Sequence, residues 1–99
     1  MSKIFLISYD IGDDQRRKKV ADSLLYFGLY RVQYSVFAGS LRKSLLPRVE
    51  QRLNKILLPA DRLFILPLTP GAADNIIEFG EKGVDWHFLF HGSHTLYID

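Results

Sequence analysis

A two-layer α+β sandwich with the element order βαββαβ is the fold class this sequence predicts, and three observations predict it. The apolar segments at residues 4–7, 29–41 and 63–66 are rich in aromatic and branched side chains, which suits strands. Two segments between them repeat their apolar residues at helical spacing. The chain has 99 residues, 47% of them hydrophobic, which suffices for one compact core and leaves too little for a second.

The chain is organised around residues 4–17, IFLISYDIGDDQRR. Ile4, Phe5, Leu6 and Ile7 form an unbroken apolar run, the pattern of a central strand covered on both faces. Asp10 closes that strand. Ligands of open α/β sheets bind beyond such strand ends, so the carboxylate reads as a candidate site residue; the competing reading is a turn residue satisfying nearby backbone N–H groups. Asp13 and Asp14 then offer an N-cap and a favourable charge for the helix dipole, and Gly28 a stop, which predicts a helix over about residues 14 to 27. Val20, Ala21, Leu24 and Phe27 fall on one stripe, with Lys18, Lys19, Asp22, Ser23 and Tyr26 mostly opposite. Arg17 lies inside the apolar stripe but in the first turn, so it should project over the end of the sheet toward the strand that finishes at Asp10. Arg16 flanks it.

Residues 29–41, LYRVQYSVFAGSL, read as one long strand or two short ones broken near Gln33 and Tyr34, ending at Gly39-Ser40. A second helix follows, with Ser44 as N-cap, Pro47 in its first turn, Leu46, Val49, Leu53 and Ile56 on its apolar side, and Pro59 ending it. Residues 62–68 form the next strand, and Pro67 marks either an edge strand or the point where the strand ends. Two helices cover only one face of a sheet, so strands apolar on both faces require another layer, and a symmetric second copy is its simplest source. Pro70-Gly71-Ala72-Ala73 turns the chain, and residues 75–79 read as a short extra strand. The tail, 86–99, reads as a hairpin about a Gly92-Ser93 turn. Residues 1–80 thus make the domain and 81–99 a C-terminal hairpin extension. His87, His91 and His94 have a spacing that invites zinc, against the plainer reading of strand-end histidines.

The net charge is only +2, yet it is segregated: residues 16–55 carry ten Lys or Arg against two acidic residues, while the rest carries three against nine. Such asymmetry favours a polyanionic partner, although solvated helix faces account for it equally well. Arg48, Arg52 and Lys55 on the second helix read either as a track for a phosphate backbone or as water-facing charge. The chain lacks cysteine, which rules out disulfides and thiolate metal sites and suits a reducing compartment. No apolar stretch approaches membrane-spanning length, so the expected location is the cytoplasm and no membrane role is expected.

The element order is that of a ferredoxin-like sandwich, a fold that hosts many functions. Its motifs are more specific. ISYDIGDDQRRKKVADSLLYFG followed by YRVQYSVFAGSL closely resembles the CRISPR-associated protein 2 family, over roughly residues 3 to 68. The resemblance implies a face-to-face homodimer in the spacer-acquisition machinery, partnered by the CRISPR-associated integrase and by DNA or RNA, with residues 81–99 as the family's variable, partner-pairing C-terminus. It implies that Asp10 binds Mg²⁺ shared across the dimer axis and acts as the catalytic carboxylate. It makes Arg16, Arg17 and Arg31 basic positions of the site, with Arg42 and Lys43 as further nucleic-acid contacts, and Tyr9, Ser35 and Phe37 as supporting motif residues. Ala38 departs from the family, since many members have an acid there. Two activities follow: a metal-dependent endonuclease, or a catalytically silent scaffold that holds DNA for the integrase. A toxin-like ribonuclease of the same fold is the nearest other enzyme, and a small-ligand regulatory module the remaining class.

Overall fold

The computed structural model describes residues 2–81 and 83–91. Its elements are β1 (Ser2–Asp10), α1 (Asp14–Tyr26), β2 (Tyr30–Gln33), β3 (Val36–Arg42), α2 (Leu46–Ile56), β4 (Arg62–Leu68), a 3₁₀ turn (Pro70–Asn75) and α3 (Trp86–His91). The strands form one antiparallel sheet in the order β2-β3-β1-β4. This is the predicted ferredoxin-like arrangement, with β1 in the interior and β4, which carries Pro67, at an edge. The segment from 29 to 41 resolves into the two-strand alternative, broken at Tyr34-Ser35, with a bulge between Arg31 and Gln33.

Alternation along β1 separates two environments. Phe5, Ile7 and Tyr9 are buried toward the helices, together with Phe37 and Leu41 of β3, Val20 and Leu24 of α1, and Val49 and Leu53 of α2. Ser23, expected on the outer side of α1, is buried as well, being three residues from Val20 and four from Phe27. α1 starts where Asp13 accepts a hydrogen bond from the Arg16 N–H at 2.9 Å. It stops in a Schellman turn: Leu29 N donates to Leu24 O and Gly28 N to Leu25 O, at 3.1 and 3.0 Å. Gly28 has φ +89°, a conformation most other residues avoid.

α2 begins differently from expectation. Ser44 does not cap it; Leu45 occupies the N-cap without a side-chain bond, because Leu45 N already donates to Arg42 O at 2.9 Å in the turn from β3. Pro47 in the first turn removes one of the amides that a cap would have to satisfy.

The expected extra strands are also overturned. Residues 76–79 are not a strand: the preceding Pro70–Asn75 winds into a 3₁₀ turn closed by Ala72 N to Thr69 O, with Asn75 Nδ2 donating to Gly71 O, both at 3.0 Å. That turn consumes Asn75, and Ile77 and Phe79 are left exposed without strand pairing. Residues 86–91 are helical rather than the first arm of a hairpin, because Asp85 caps them: its Oδ1 accepts from Phe88 N at 3.0 Å and its carbonyl from Leu89 N at 3.1 Å. The Gly92-Ser93 turn and His94 lie outside the described residues.

The sheet face away from α1 and α2 is therefore covered partly by this chain itself. α3 packs on β3, Phe88 meets Tyr30 edge to face at 6.2 Å, and Leu89, Ile4 and Ala38 are buried. On the β4 side the cover stops, leaving Phe64 57% and Leu66 47% exposed. Phe37, fully buried, is a core residue in spite of its place in a site motif. Phe37→Ala should destabilise the fold by about 3–5 kcal/mol, measured by urea denaturation, and any functional loss in that variant then reports folding.

Candidate nucleic-acid and metal site

The end of the sheet where β1 finishes gathers most of the expected residues. Asp10 is exposed at the end of β1, on the face opposite Tyr9 by strand alternation, and stands across from Arg62 of β4 in the sheet register. Among the described residues it has no hydrogen-bond or ion-pair partner. Arg17 bends over the same end, as its position in the helical stripe predicts. Its guanidinium donates to Ile11 O at 2.7 Å and to the Tyr34 hydroxyl at 3.0 Å, and it pairs with Asp14. Arg31 donates to Tyr34 O and lies over the Phe37 ring, 4.8 Å from its centroid. Ser35 joins through its carbonyl, which accepts from Tyr9 N at 3.1 Å and ties the β2–β3 turn to the end of β1.

Tyr9 is inward-facing. Its ring stacks on Phe37 with centroids 6.2 Å apart, and its hydroxyl is buried with no partner of acceptable geometry. Burial pushes that hydroxyl above its ordinary pKa, while the Arg31 guanidinium beside it pulls the other way. The arginines and Asp10 thus share one rim of the sheet but belong to opposite faces of it.

Three expected residues stand apart from this cluster. Arg16 is engaged elsewhere: its Nε and Nη2 donate to the two oxygens of Asp61 at 2.8 and 3.1 Å, a bidentate pair in which the Asp61 side chain is only 3% exposed. Asp61 also accepts from Leu58 N at 2.9 Å, so this pair fastens the start of α1 to the loop before β4. Arg42 and Lys43 lie at the opposite end of the sheet, because Arg42 pairs with Ser2 while Asp10 pairs with Arg62. A strand the length of β1 separates them, roughly 27 Å.

Sequence reasoning missed Arg62, Asp61 and Tyr34. Arg62 needs the β1–β4 register, and Asp61 pairs across 45 residues, so neither has a local signal. Tyr34 had one, an aromatic residue at the break between two strands, but its exposed position was not inferred. On α2, Arg52 lies over Tyr26 and Phe27 at 5.3 and 5.9 Å, so part of the outer basic stripe is stacked rather than simply solvated.

The metal question turns on Asp10. A magnesium ion commonly takes one or two protein carboxylates and keeps several waters. Asp10 is a hard oxygen donor, exposed and unengaged, so it fits one position of such a shell. Among the described residues no group of three or more His, Cys, Asp or Glu is placed to hold an ion, so Asp10 is one carboxylate position and not a complete site. That also leaves the zinc reading of the histidines without a described cluster. No helix among the described residues is long and apolar enough to cross a membrane.

A sheet of this order under two helices, with an exposed carboxylate on one face of its rim and two anchored arginines on the other, defines the class as a small ferredoxin-like α+β protein. The comparisons give the particular family. Residues 3–76 match the family model described as CRISPR associated protein Cas2, and the chain belongs to that family. It is 43% identical over 79 residues to the CRISPR-associated endoribonuclease Cas2 3 of Synechocystis, covering 79% of this chain and 85% of the relative. It is 38% identical over 76 residues to a CRISPR-associated endoribonuclease Cas2 of Pyrobaculum aerophilum, covering 76% and 84%. Among solved structures it resembles a hypothetical protein from Thermus thermophilus, with TM-score 0.66 and 38% identity over 70% of this chain and 84% of the other. Streptococcus pyogenes Cas2 shares the fold, with TM-score 0.70 over 78% of this chain and 99% of the other.

The Arg16–Asp61 pair has a pH signature. Arg16 and the Leu58 N–H hold the Asp61 carboxyl below its ordinary pKa. A carboxyl depressed in the folded state stabilises it fully above the unfolded value, and this contribution is lost as pH falls through the folded value. Asp61→Asn should remove that dependence, so the stability gap between parent and variant, read by urea denaturation, should narrow below about pH 4.

Proposed function

We propose that this chain is a nucleic-acid-binding subunit of CRISPR adaptation that acts as a homodimer and hydrolyses phosphodiester bonds of RNA or DNA with Mg²⁺ held on paired Asp10 carboxylates. The observation that carries this reading is Asp10: an exposed carboxylate without a partner, on the rim where Arg17 and Arg31 are fixed. An exposed strand-end carboxylate without a side-chain partner among the described residues is free to take a ligand, which supports a functional assignment over a turn residue. The endoribonuclease relatives from Synechocystis and Pyrobaculum aerophilum support the activity.

The second copy is supported by the exposed Phe64 and Leu66, which lie on the same sheet face as Asp10 and are left uncovered by α3. Each has about half its surface left to cover, so burying it against a symmetric copy is favourable by roughly 0.8–1.5 kcal/mol per side chain. Such a face-to-face contact involves the face that carries Asp10. Mg²⁺, when bound, supplies Lewis-acid stabilisation of phosphoryl charge and a more acidic water. The chain's own contribution is orientation: Arg17, anchored on Ile11 O, and Arg31, anchored on Tyr34 O, keep positive charge at fixed places around the rim. Arg42 and Lys43, at the far end of the sheet, suit a longer nucleic acid lying along the subunit, and the CRISPR-associated integrase is the expected protein partner.

One observation favours the silent-scaffold reading. Ala38 is fully buried, on the same sheet face as Asp10 and paired with Leu6 and Tyr30. An acidic residue there would be placed in an apolar contact instead of beside a metal, so no second carboxylate from β3 assists Asp10.

The test is one gel. The purified protein and Asp10→Ala are incubated with labelled single-stranded RNA and with duplex DNA, in Mg²⁺ and in chelator. Mg²⁺-dependent cleavage should fall on the order of a hundredfold or more in Asp10→Ala, while the exposed position of Asp10 leaves folding unaffected. Binding by both proteins without cleavage by either gives the scaffold reading instead. In either case affinity should drop by about a thousandfold or more between 50 and 200 mM salt if six or more phosphates are neutralised across the dimer. A flat salt response removes both.

A further inference from the structure

The β2–β3 turn presents an aromatic ring where a turn normally has small polar residues. Tyr34 is 69% exposed, yet it is held at several points. Arg17 Nε donates to its hydroxyl at 3.0 Å, and Arg31 donates to its carbonyl. The guanidinium carbons of Arg17 and Arg31 lie 5.6 and 5.9 Å from the ring centroid, at the outer limit of a cation–π contact. The hydrogen bond to the hydroxyl puts Arg17 at the ring's polar edge. Neither guanidinium is in close face contact, and the exposure leaves ring surface open to solvent.

The ring borders an open recess of about 490 Å³, lined by Arg17, Lys18, Arg31 and Tyr34 together with Asp14 and Asp22. Of its cations, Arg17 pairs with Asp14 and Lys18 with Asp22, whereas Arg31 has no carboxylate partner among the described residues, only a backbone carbonyl, ring faces and the Tyr9 hydroxyl beside it. Nearby, the buried Tyr9 hydroxyl has the Arg31 guanidinium beside it but no well-formed hydrogen bond.

We propose that Tyr34 is a stacking platform for an unpaired base, with Arg17 and Arg31 receiving the adjoining phosphates, so that this rim engages single-stranded or frayed nucleic acid in preference to a closed duplex. The inference rests on the nucleic-acid-binding reading and assigns part of that binding to the ring. An aromatic face between cations is the general solution for single strands, since every base has a π-face and every step a phosphate. A base inside a closed duplex is already stacked and gains nothing from the ring. The immobilisation of Tyr34 by its hydroxyl and carbonyl removes freedom that an exposed side chain would otherwise lose on binding.

The experiment uses the full chain and fluorescence anisotropy with three labelled probes of equal phosphate count: a single-stranded oligonucleotide, the same strand with abasic sites, and a blunt duplex. Tyr34→Leu should weaken binding of the single strand by about 5- to 150-fold, the range for loss of one base–aromatic stack. The duplex and abasic probes should change by less than threefold on the same variant, a bound taken as about the scatter around a contact that is absent. Tyr34→Phe, which keeps the ring and loses the bond from Arg17, should bind the single strand like the parent. In the parent itself the abasic strand should bind more weakly than the intact one, a readout that needs no variant to fold. Equal losses on all three probes would mean that Tyr34 only positions the arginines, and unchanged single-strand binding by Tyr34→Leu would mean that the ring is not used; either result overturns the proposal while leaving nucleic-acid binding intact. A parent that binds none of the probes overturns the proposal together with the reading beneath it.

Discussion

β1 is hydrogen-bonded to strands on both sides, and its period of two decides the character of everything around it. Tyr9 and Asp10 are adjacent in sequence and opposite in fate, one packed on Phe37 and the other in solvent. The register with β3 and β4 then assigns their neighbours: Phe37 and Ile65 stand beside Ile7 in the core, while Arg62 stands beside Asp10 at the rim. Because a shift of one residue would exchange the two faces, the burial of Phe5, Ile7 and Tyr9 fixes the position of Asp10 as firmly as any contact to Asp10 itself could.

The start of α1 is fastened by two neighbouring arginines that do different things. Arg16 reaches across to Asp61, a pair in which the carboxylate is almost wholly shielded, and so ties α1 to the approach to β4. Arg17 reaches the other way, to Ile11 O and Tyr34, and so ties α1 to the end of β1 and the β2–β3 turn. Basic residues in one short segment thus divide into a clamp and a rim group. The chemistry proposed for the rim relies on this division, since charge held at a fixed position reorganises less when an anion arrives.

The fold was legible where local patterns govern. The apolar run of β1, the capped helix at Asp13, the glycine stop at Gly28 and the edge proline of β4 all carry signals within a few residues, and all appear as read. Arg17 was placed correctly because a helical stripe extends past its own core. Failures came where two local signals competed or where no local signal existed. Residues 86–91 are aromatic enough for a strand, yet Asp85 caps them into a helix. Ser44 is a good cap by type and was displaced by a backbone turn. The motif residues Tyr9 and Phe37 were legible as important but not as core, and Arg16 could not be separated from Arg17 without the distant Asp61.

The short connection at residues 11–13 contains Gly12, around which there is open space for a side chain. Its neighbours are already engaged, Ile11 by Arg17 and Asp13 by the first turn of α1. Length changes in this family's history would therefore be felt very unequally along the chain. A residue gained inside β1 turns the sheet inside out from that point onward, and one gained in the loop breaks the reach of Arg17. An added residue disturbs neither the register of β1 nor the anchors of Arg17 when it falls in the connection between β4 and α3.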